Sequence, residues 1–371
     1  YYNILNERRF SSRTEVIGFG IKTEFAPAPR TLDMNSPPPA PAAPAATTAT
    51  SLRKTHRQQL EHFPVAIFST VMGMAGLALA WLKAHTVLGM PALVGEGLRG
   101  ATSALFVLLL VFFGLKALRY PQAIKLEMHH PIRVNFIPTI SISLLLLAIC
   151  YLEAAPEIAF WLWVAGTALH LVLTLAIFGS WLHHTHYEIK HVNPAWFIPV
   201  VGNIVVPVAG VRFASPELSW FFFSIGLVFW IVLLTVVLYR LFFHEPLPAR
   251  LTPTLFILLA PPSVGFVAYV NLTGEVDVFA RILYYTALFL ALLLASNALR
   301  FLRLPFFISA WAYSFPLAAL TLATLAMSVR LSVPGFTLFG FGLLALLSLV
   351  IAALVSRTLL AVWRGEVCVP E

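Results

Sequence analysis

The sequence is poor in charged residues, since only 11% of its 371 residues are Asp, Glu, Lys or Arg. Soluble globular domains carry about a quarter, so this chain cannot cover a water-exposed surface with ionised groups. Hydrophobic residues make up 59% instead. These proportions exclude a cytosolic enzyme, a secreted disulfide-rich domain and a disordered protein, and they indicate a membrane protein with several spans.

Cysteine and catalytic motifs are also scarce. Of the two cysteines, Cys150 lies within an apolar run and Cys368 lies near the C-terminus, so we expect no structural disulfide. The sequence has no Gly-rich phosphate loop, no Ser/His/Asp arrangement and no paired catalytic carboxylates. We therefore expect no enzymatic activity and no cofactor.

One histidine cluster invites a metal-site interpretation. It lies beside Glu188 and comprises His183, His184, His186 and His191. The spacing fits no common zinc site and no cysteine is near. We interpret the cluster as a solvated loop and predict no bound metal.

The first 62 residues differ in composition from the rest. Pro, Ala and Thr dominate residues 26–50, and such a segment buries too little apolar surface to offset its chain entropy. We predict that 1–62 is a disordered Pro/Ala-rich arm, that 63–362 is a transmembrane channel domain, and that 363–371 is a short cytoplasmic tail.

Apolar runs alternate with short polar breaks after the arm. A bilayer core about 30 Å thick needs about 20 helical residues. Ten runs satisfy this requirement, namely 64–82, 100–118, 134–152, 157–180, 195–211, 217–240, 252–271, 279–299, 305–329 and 335–356. The sequence therefore predicts an all-α membrane protein with ten transmembrane helices.

Lys and Arg are unevenly divided between the two sides of these spans. Fourteen fall on one side: Arg53, Lys54, Arg57, Lys116, Arg119, Lys125, Arg133, Lys190, Arg240, Arg250, Arg300, Arg303, Arg357 and Arg364. Five fall on the other: Lys83, Arg99, Arg212, Arg281 and Arg330. Positive charge favours the cytoplasmic side, so we expect both termini in the cytoplasm. This role explains the net charge of +8 without a nucleic-acid partner.

Prolines divide the spans into two classes. The third, fifth, seventh and ninth spans have interior prolines, namely Pro138, Pro199, Pro207, Pro261, Pro262 and Pro316. An interior proline is expected to bend the helix and to free a backbone carbonyl, which finds a partner beside other helices but not in lipid. We therefore predict inner odd helices and outer even helices, arranged as five hairpins around a central pore.

The odd spans have no Lys, Arg, Asp or Glu in their interiors, which argues for a passive pathway. Small polar and aromatic side chains suit a narrow, neutral, partly wet pore. The predicted pore-lining residues are Phe68, Ser69, Phe136, Thr139, Ser143, Asn203, Ser263, Phe266, Ser314 and Pro316. The alternative is that the hydroxyls bond their own backbone and that the rings face lipid.

Arginines lie at the predicted ends of the pore helices: Arg133 opens the third span, Arg212 closes the fifth and Arg330 ends the ninth. Such basic mouths would raise the local anion concentration. The alternative is that these arginines only set the orientation of the chain, which fits Arg212 and Arg330 less well because they lie on the side with fewer positive charges.

Five motifs, in order, resemble one known family. They are His130–Phe136 (HPIRVNF), Asn193-Pro194 with Val201–Asn203, Ala260–Val264 (APPSV), Gly274–Asp277 (GEVD) and Trp311–Pro316 (WAYSFP). The chain is thereby similar to the tellurite-resistance/dicarboxylate transporter family, which includes the plant slow-type anion channels.

The resemblance implies five helical hairpins around a pore, a homotrimer with one pore per subunit, and a mid-membrane gate at Phe315. It leads us to expect a passive channel for chloride, nitrate and similar anions in a bacterial inner membrane. The alternatives are an exporter of four-carbon dicarboxylates such as malate, a tellurite-resistance exporter, or a non-conducting scaffold whose basic arm recruits a partner.

Overall fold

The computed structural model describes residues 59–183 and 187–368, and every regular element in these ranges is helical. The predicted arm therefore lies almost wholly outside the described residues. Ten helices are long and apolar enough to cross a membrane: α1 Val65–Leu88, α2 Ala92–Arg119, α3 Arg133–Tyr151, α4 Pro156–His183, α5 Pro194–Phe213, α6 Pro216–Phe243, α7 Thr252–Thr273, α8 Val278–Ser296, α9 Ile308–Leu331 and α10 Pro334–Trp363. The predicted class and number of spans are confirmed.

The largest disagreement with the predicted boundaries is at the start of α2, which begins at Ala92 rather than at residue 100. A Cβ atom on Gly95 would lie only 2.9 Å from Leu82 Cδ2, so the glycine lets α2 pack closely against α1. Residues 92–99, which the predicted span left out, are therefore part of a tightly packed helix.

Burial separates the odd helices from the even ones. Within their most apolar stretches, 67–89% of the residues of the odd helices are buried, compared with 22–33% for the even helices. Contacts between the odd helices close a ring, in which α1 meets α3, α3 meets α5, α5 meets α7, α7 meets α9, and α9 meets α1. The odd helices are thus the inner layer, and the apolar outer faces of the even helices suit lipid.

Each inner helix combines two helix types. The 3-10 segments are Val65–Phe68 in α1, Arg133–Phe136 in α3, Pro194–Trp196 and Gly202–Val205 in α5, Thr252–Leu259 in α7 and Ile308–Tyr313 in α9. Pro138 directly precedes an α-helical segment, and Pro207, Pro261, Pro262 and Pro316 lie in the first turn of one. Proline is well tolerated there. These five prolines therefore mark a change of helix type, rather than the bend in a uniform helix that we expected.

Two glycines set the separation of α1 and α9. A Cβ atom on Gly73 would lie 2.2 Å from Ser314 Oγ and 2.9 Å from a ring carbon of Trp311. A Cβ atom on Gly76 would lie 2.7 Å from Ala318 Cβ. Real carbon atoms do not approach so closely, so the two helices must separate if either glycine gains a side chain.

We expect Gly73→Ala to lower the free energy of unfolding by about 1–3 kcal/mol, the usual cost of overpacking. Gly114→Ala in α2 is the matched control, because its added Cβ meets nothing within 4 Å. That control should leave stability unchanged or raise it by up to about 1 kcal/mol. Thermal unfolding of both variants in detergent measures the difference, and equal midpoints would contradict the close approach of α1 and α9.

Candidate functional site

A cavity of about 80 Å³ lies between the inner helices, and all five of them contribute to its wall. Its lining residues are Ser69, Met72, Phe136, Thr139, Ile142, Phe197, Ile198, Val201, Gly202, Ile204, Val205, Ile257, Ala260, Pro261, Val264, Ser309, Trp311, Ala312, Phe315 and Pro316. None of these residues belongs to an outer helix. The cavity can hold water molecules or a small ion by volume.

The cavity wall is apolar, and its few hydroxyl groups are already engaged. Ser69 Oγ donates to Ala66 O at 2.6 Å, and Thr139 Oγ1 donates to Phe136 O at 2.6 Å. Ser309 Oγ donates to a backbone carbonyl outside the cavity wall. The hydroxyl hydrogens of the lining residues therefore point to the backbone, which is the alternative that the sequence had left open.

The indole N–H of Trp311 is engaged as well. Its Nε1 donates to Thr358 Oγ1 at 2.8 Å and ties α9 to α10. With the three lining hydroxyls, this bond accounts for the polar side-chain hydrogens of the cavity wall. The wall therefore offers an ion no free side-chain donor.

Five predicted pore residues line the cavity, namely Ser69, Phe136, Thr139, Phe315 and Pro316. Six others are at least nine-tenths buried but lie outside its wall: Phe68, Ser143, Asn203, Ser263, Phe266 and Ser314. The three serines of this group donate to carbonyls of their own helices. The two phenylalanines pack against aromatic rings of outer helices.

Phe315 is the second residue of the α-helical segment Ser314–Leu331. With rises of about 2.0 and 1.5 Å per residue in the two helix types, it lies about 5 Å to the N-terminal side of the midpoint of α9. Gly76 of α1 lies behind it, and a Cβ atom there would be 3.6 Å from Phe315 Cδ2. The phenyl side chain is half-buried and lines the cavity.

The three predicted mouth arginines have different surroundings. Arg212 pairs with Glu153 at 3.1 Å on the exposed surface, an interaction worth about 0–1 kcal/mol. Arg330 donates to Gly274 O at 2.5 Å, and Arg133 is the first residue of α3. The charge of Arg212 is thus partly neutralised, whereas the carbonyl partner of Arg330 leaves a full positive charge at that end.

The first of the five motifs, His130–Phe136, forms the hydrogen bonds at the start of α3. His130 Nδ1 accepts hydrogen bonds from the backbone N–H groups of Ile132 and Arg133 at 3.1 and 3.2 Å. Asn135 Nδ2 donates to Pro131 O at 3.0 Å. These side chains satisfy backbone groups that a helix terminus leaves without partners. The motif therefore stabilises the 3-10 turn that leads to the cavity.

The loop motif GEVD serves as a helix cap. Asp277 is the residue directly before α8, and its Oδ1 accepts a hydrogen bond from the backbone N–H of Ala280 at 2.9 Å. Tyr269 donates its hydroxyl hydrogen to Asp277 Oδ2 at 2.6 Å. The Ala280 bond and then the Tyr269 bond lower the pKa of Asp277. The cap is therefore anionic at neutral pH.

The histidine cluster is only partly described, because His184 and His186 lie outside the described residues. His183 is exposed at the end of α4. His191 Nδ1 accepts from the backbone N–H of Glu188, and the carboxylate of Glu188 pairs with Lys190 at 2.8 Å. In the described part of the chain, no group of three His, Cys, Asp or Glu side chains could hold a metal ion.

A polar stripe, formed by Trp163, His170 and Thr174, lies on the outer helix α4 and was not predicted from the sequence. Trp163 Nε1 donates to Val206 O at 3.0 Å, and Thr174 Oγ1 donates to Pro199 O at 2.6 Å. His170 lies between them and is fully buried. The sequence signal is the recurrence of polar residues on one face of an apolar span. The stripe satisfies carbonyls of α5, the most irregular inner helix.

The sequence matches a known protein family and several known relatives. Residues 62–359 match the family of voltage-dependent anion channels named SLAC1. The chain is 29% identical over 308 residues to the S-type anion channel SLAH3 of Arabidopsis thaliana, which covers 81% of this chain and 48% of the relative. It is also similar to the Arabidopsis channel SLAH2, with 29% identity over 72% of this chain and 53% of the relative. The chain spans about half the length of these plant relatives.

A microbial relative matches over nearly its whole length. The tellurite resistance protein TehA homolog of Haemophilus influenzae is 27% identical over 313 residues, which cover 82% of this chain and 92% of the relative. The family match at residues 62–359 contains all ten helices of the described structure apart from the last residues of α10. The similarity therefore covers the whole ring of inner helices.

Proposed function

This chain belongs to the SLAC1 family of voltage-dependent anion channels, and from that premise we propose that it is a passive anion channel. The predicted resemblance is thereby confirmed, and a family of channels and transporters gives no role to enzymatic chemistry. The proposed pathway is the cavity at the centre of the inner ring. The observation that carries the proposal is that all five inner helices line this one cavity.

Passive conduction is supported by the composition of the cavity wall. None of its lining residues is Asp, Glu, Lys, Arg or His. Ion-coupled transporters usually place such groups at membrane depth, because the coupling ion or proton needs a binding site. The wall itself offers no such site.

A preference for anions follows from the backbone of the inner helices. All five inner helices run in the same direction across the membrane, so their peptide dipoles are aligned. The N–H groups of Ser69, Val206, Ala260 and Ser314 donate to carbonyls of the 3-10 segments before them. The partially positive ends therefore lie at the starts of the inner helices, on one side of the cavity. Positive helix ends favour anions and repel cations.

Phe315 is the proposed gate. Its phenyl ring belongs to a wall without free side-chain donors, and water is poorly stabilised beside such a surface. An ion cannot cross a dry apolar constriction without losing its hydration. The closed state in this proposal is therefore a dry segment next to Phe315 rather than a charged barrier.

Flux measurements in liposomes containing the purified protein test the proposal. We expect chloride and nitrate to move down their gradients, with discrete single-channel steps and a reversal potential set by the anion gradient. Malate flux without such steps would favour a dicarboxylate exporter, and tellurite flux alone would favour the resistance function. Absence of all flux would favour a scaffold.

Nitrate should permeate at least as well as chloride. The lining hydroxyl hydrogens are engaged, so an anion in the cavity gains only the weak field of the helix ends. A weak site favours the ion that sheds its water most easily. Reversal potentials with nitrate on one side and chloride on the other measure this order, and a preference for chloride would contradict the weak-site argument.

We further propose that both ends of the membrane domain face the cytoplasm of a bacterial cell. The excess of Lys and Arg on one side of the spans supports the orientation. We also propose a homotrimer in which each subunit conducts separately. The cavity wall is complete within one chain, so a partner is not needed to form the pathway.

A further inference from the structure

His170 is a fully buried imidazole in the middle of α4. Its Nδ1 lies 2.8 Å from Ser141 Oγ of α3. Its Nε2 has no hydrogen-bond partner within the described part of the chain. A buried polar atom in this state requires a physical explanation, because most such atoms in proteins are satisfied.

The Ser141 contacts indicate where the ring proton lies. Ser141 Oγ is 2.8 Å from Pro138 O and donates its single hydrogen there. Ser141 must then accept from Nδ1–H of His170, which leaves Nε2 as a bare lone pair. This tautomer is also the less costly one, because an orphaned buried N–H is rarer than an acceptor with a free lone pair. Nε2 is therefore a vacant position for a proton.

The ring lies directly behind the cavity wall. A Cβ atom on Gly202 of α5 would be 2.7 Å from His170 Cε1 and Nε2, and 2.8 Å from Ile142 Cδ1. Gly202 and Ile142 both line the cavity. The imidazole thus occupies the space that a side chain at residue 202 would fill, and a single layer of residues separates it from the ion pathway.

We propose that Nε2 of His170 is a proton-binding site linked to anion occupancy of the cavity, so that anion conduction rises as pH falls. This inference rests on the proposed channel function. A buried imidazolium alone is unfavourable, and so is an anion alone in an apolar cavity. Each charge lowers the cost of the other, and such coupling is reciprocal.

The surroundings leave His170 as the group that responds. Helix α4 packs against α3 and α5, and the side facing the ring includes Ser141 and Ile142 from α3 and Gly202 from α5. None of these titrates near neutral pH. The charged or titratable residues of α3 and α5 are Arg133, Cys150, Tyr151 and Arg212, each at least eight residues along the chain from Ser141 or Gly202.

The test compares anion flux into liposomes at about pH 7.5 and about pH 4, the lower value lying well below the usual range of histidine titration because a buried imidazolium is unfavourable. For the unaltered protein we expect a rise of about five-fold or more, at the low end of common coupling factors. His170→Gln and His170→Asn keep an amide within the polar stripe but bind no proton. Both should conduct with a flat pH profile.

His183→Gln is the matched control, because His183 lies on the same helix but is exposed. It should keep the full rise at low pH. The proposal is overturned if the unaltered protein conducts equally at both pH values, or if either folded His170 variant retains the rise. Absence of anion flux at every pH would instead refute the proposed channel function, so the two failures are distinguishable.

Discussion

Replacing Phe315 by alanine is expected to raise anion conductance several-fold or more. The ring lines the central cavity beside an apolar wall, and the lining hydroxyls donate to the backbone. Removing the ring leaves space for water along the pathway. A hydrated anion then crosses without shedding as much of its shell.

Phe315→Leu should give an intermediate conductance, because it removes only part of the ring volume. The matched control is Phe221→Ala in α6, where the phenylalanine is 50% exposed on the outer layer. This control should leave conductance unchanged. Single-channel recording in planar bilayers separates a larger unit conductance from a higher open probability for each variant.

The competing interpretation is that Phe315 serves only to pack α9. A packing phenylalanine would cost about 3–5 kcal/mol of stability when changed to alanine, and its loss would open nothing. The half-buried state of Phe315 argues for a smaller stability cost. If Phe315→Ala folds, reaches the bilayer and conducts no more than the unaltered protein, Phe315 is not the gate.

Much of the architecture could be predicted from the sequence, because lipid imposes strict conditions on a membrane-spanning helix. A span needs about 20 apolar residues and an internally satisfied backbone. Apolar length therefore predicted ten helices, and the prolines at residues 138, 199, 207, 261, 262 and 316 identified helices that need protein neighbours. Span 195–211 contains Pro199, Gly202 and Pro207, yet α5 is the most buried of the ten helices.

The residues that line the cavity were harder to predict from the sequence, because the helix type changes within each inner helix. A 3-10 helix turns about 120° per residue and an α-helix about 100°. Over the eight residues of Thr252–Leu259, the accumulated difference is about 160°. A uniform helical period therefore cannot assign the faces of α7, and Ser263 and Phe266 lie outside the cavity wall.

The polar residues of the outer helices were not predicted, for a different reason. The irregular backbone of α5 needs hydrogen-bond donors from its neighbours. Trp163 and Thr174 of α4 supply them to Val206 O and Pro199 O. A polar residue on an outer helix can thus follow from the irregularity of the inner helix beside it.

The loss of one lysine should destabilise the protein more than any other change considered. Lys116, in the last turn of α2, is 1% exposed and pairs with Glu127 at 2.7 Å. Its Nζ also donates to Phe63 O at 2.7 Å. Lys116 thereby joins α2, the short helix Pro121–His129 and the segment that leads into α1.

We expect Lys116→Met to lower the free energy of unfolding by about 3–5 kcal/mol, because it leaves the buried Glu127 carboxylate and the Phe63 carbonyl without a donor. Lys190→Met is the matched control, since Lys190 and its partner Glu188 are 64% and 56% exposed and such pairs contribute about 0–1 kcal/mol. The double variant Lys116→Met/Glu127→Leu should regain most of the loss, because a buried pair can be replaced by apolar residues at little cost. Thermal unfolding in detergent measures all three, and similar midpoints for the two lysine variants would show that the buried pair does not hold these helices together.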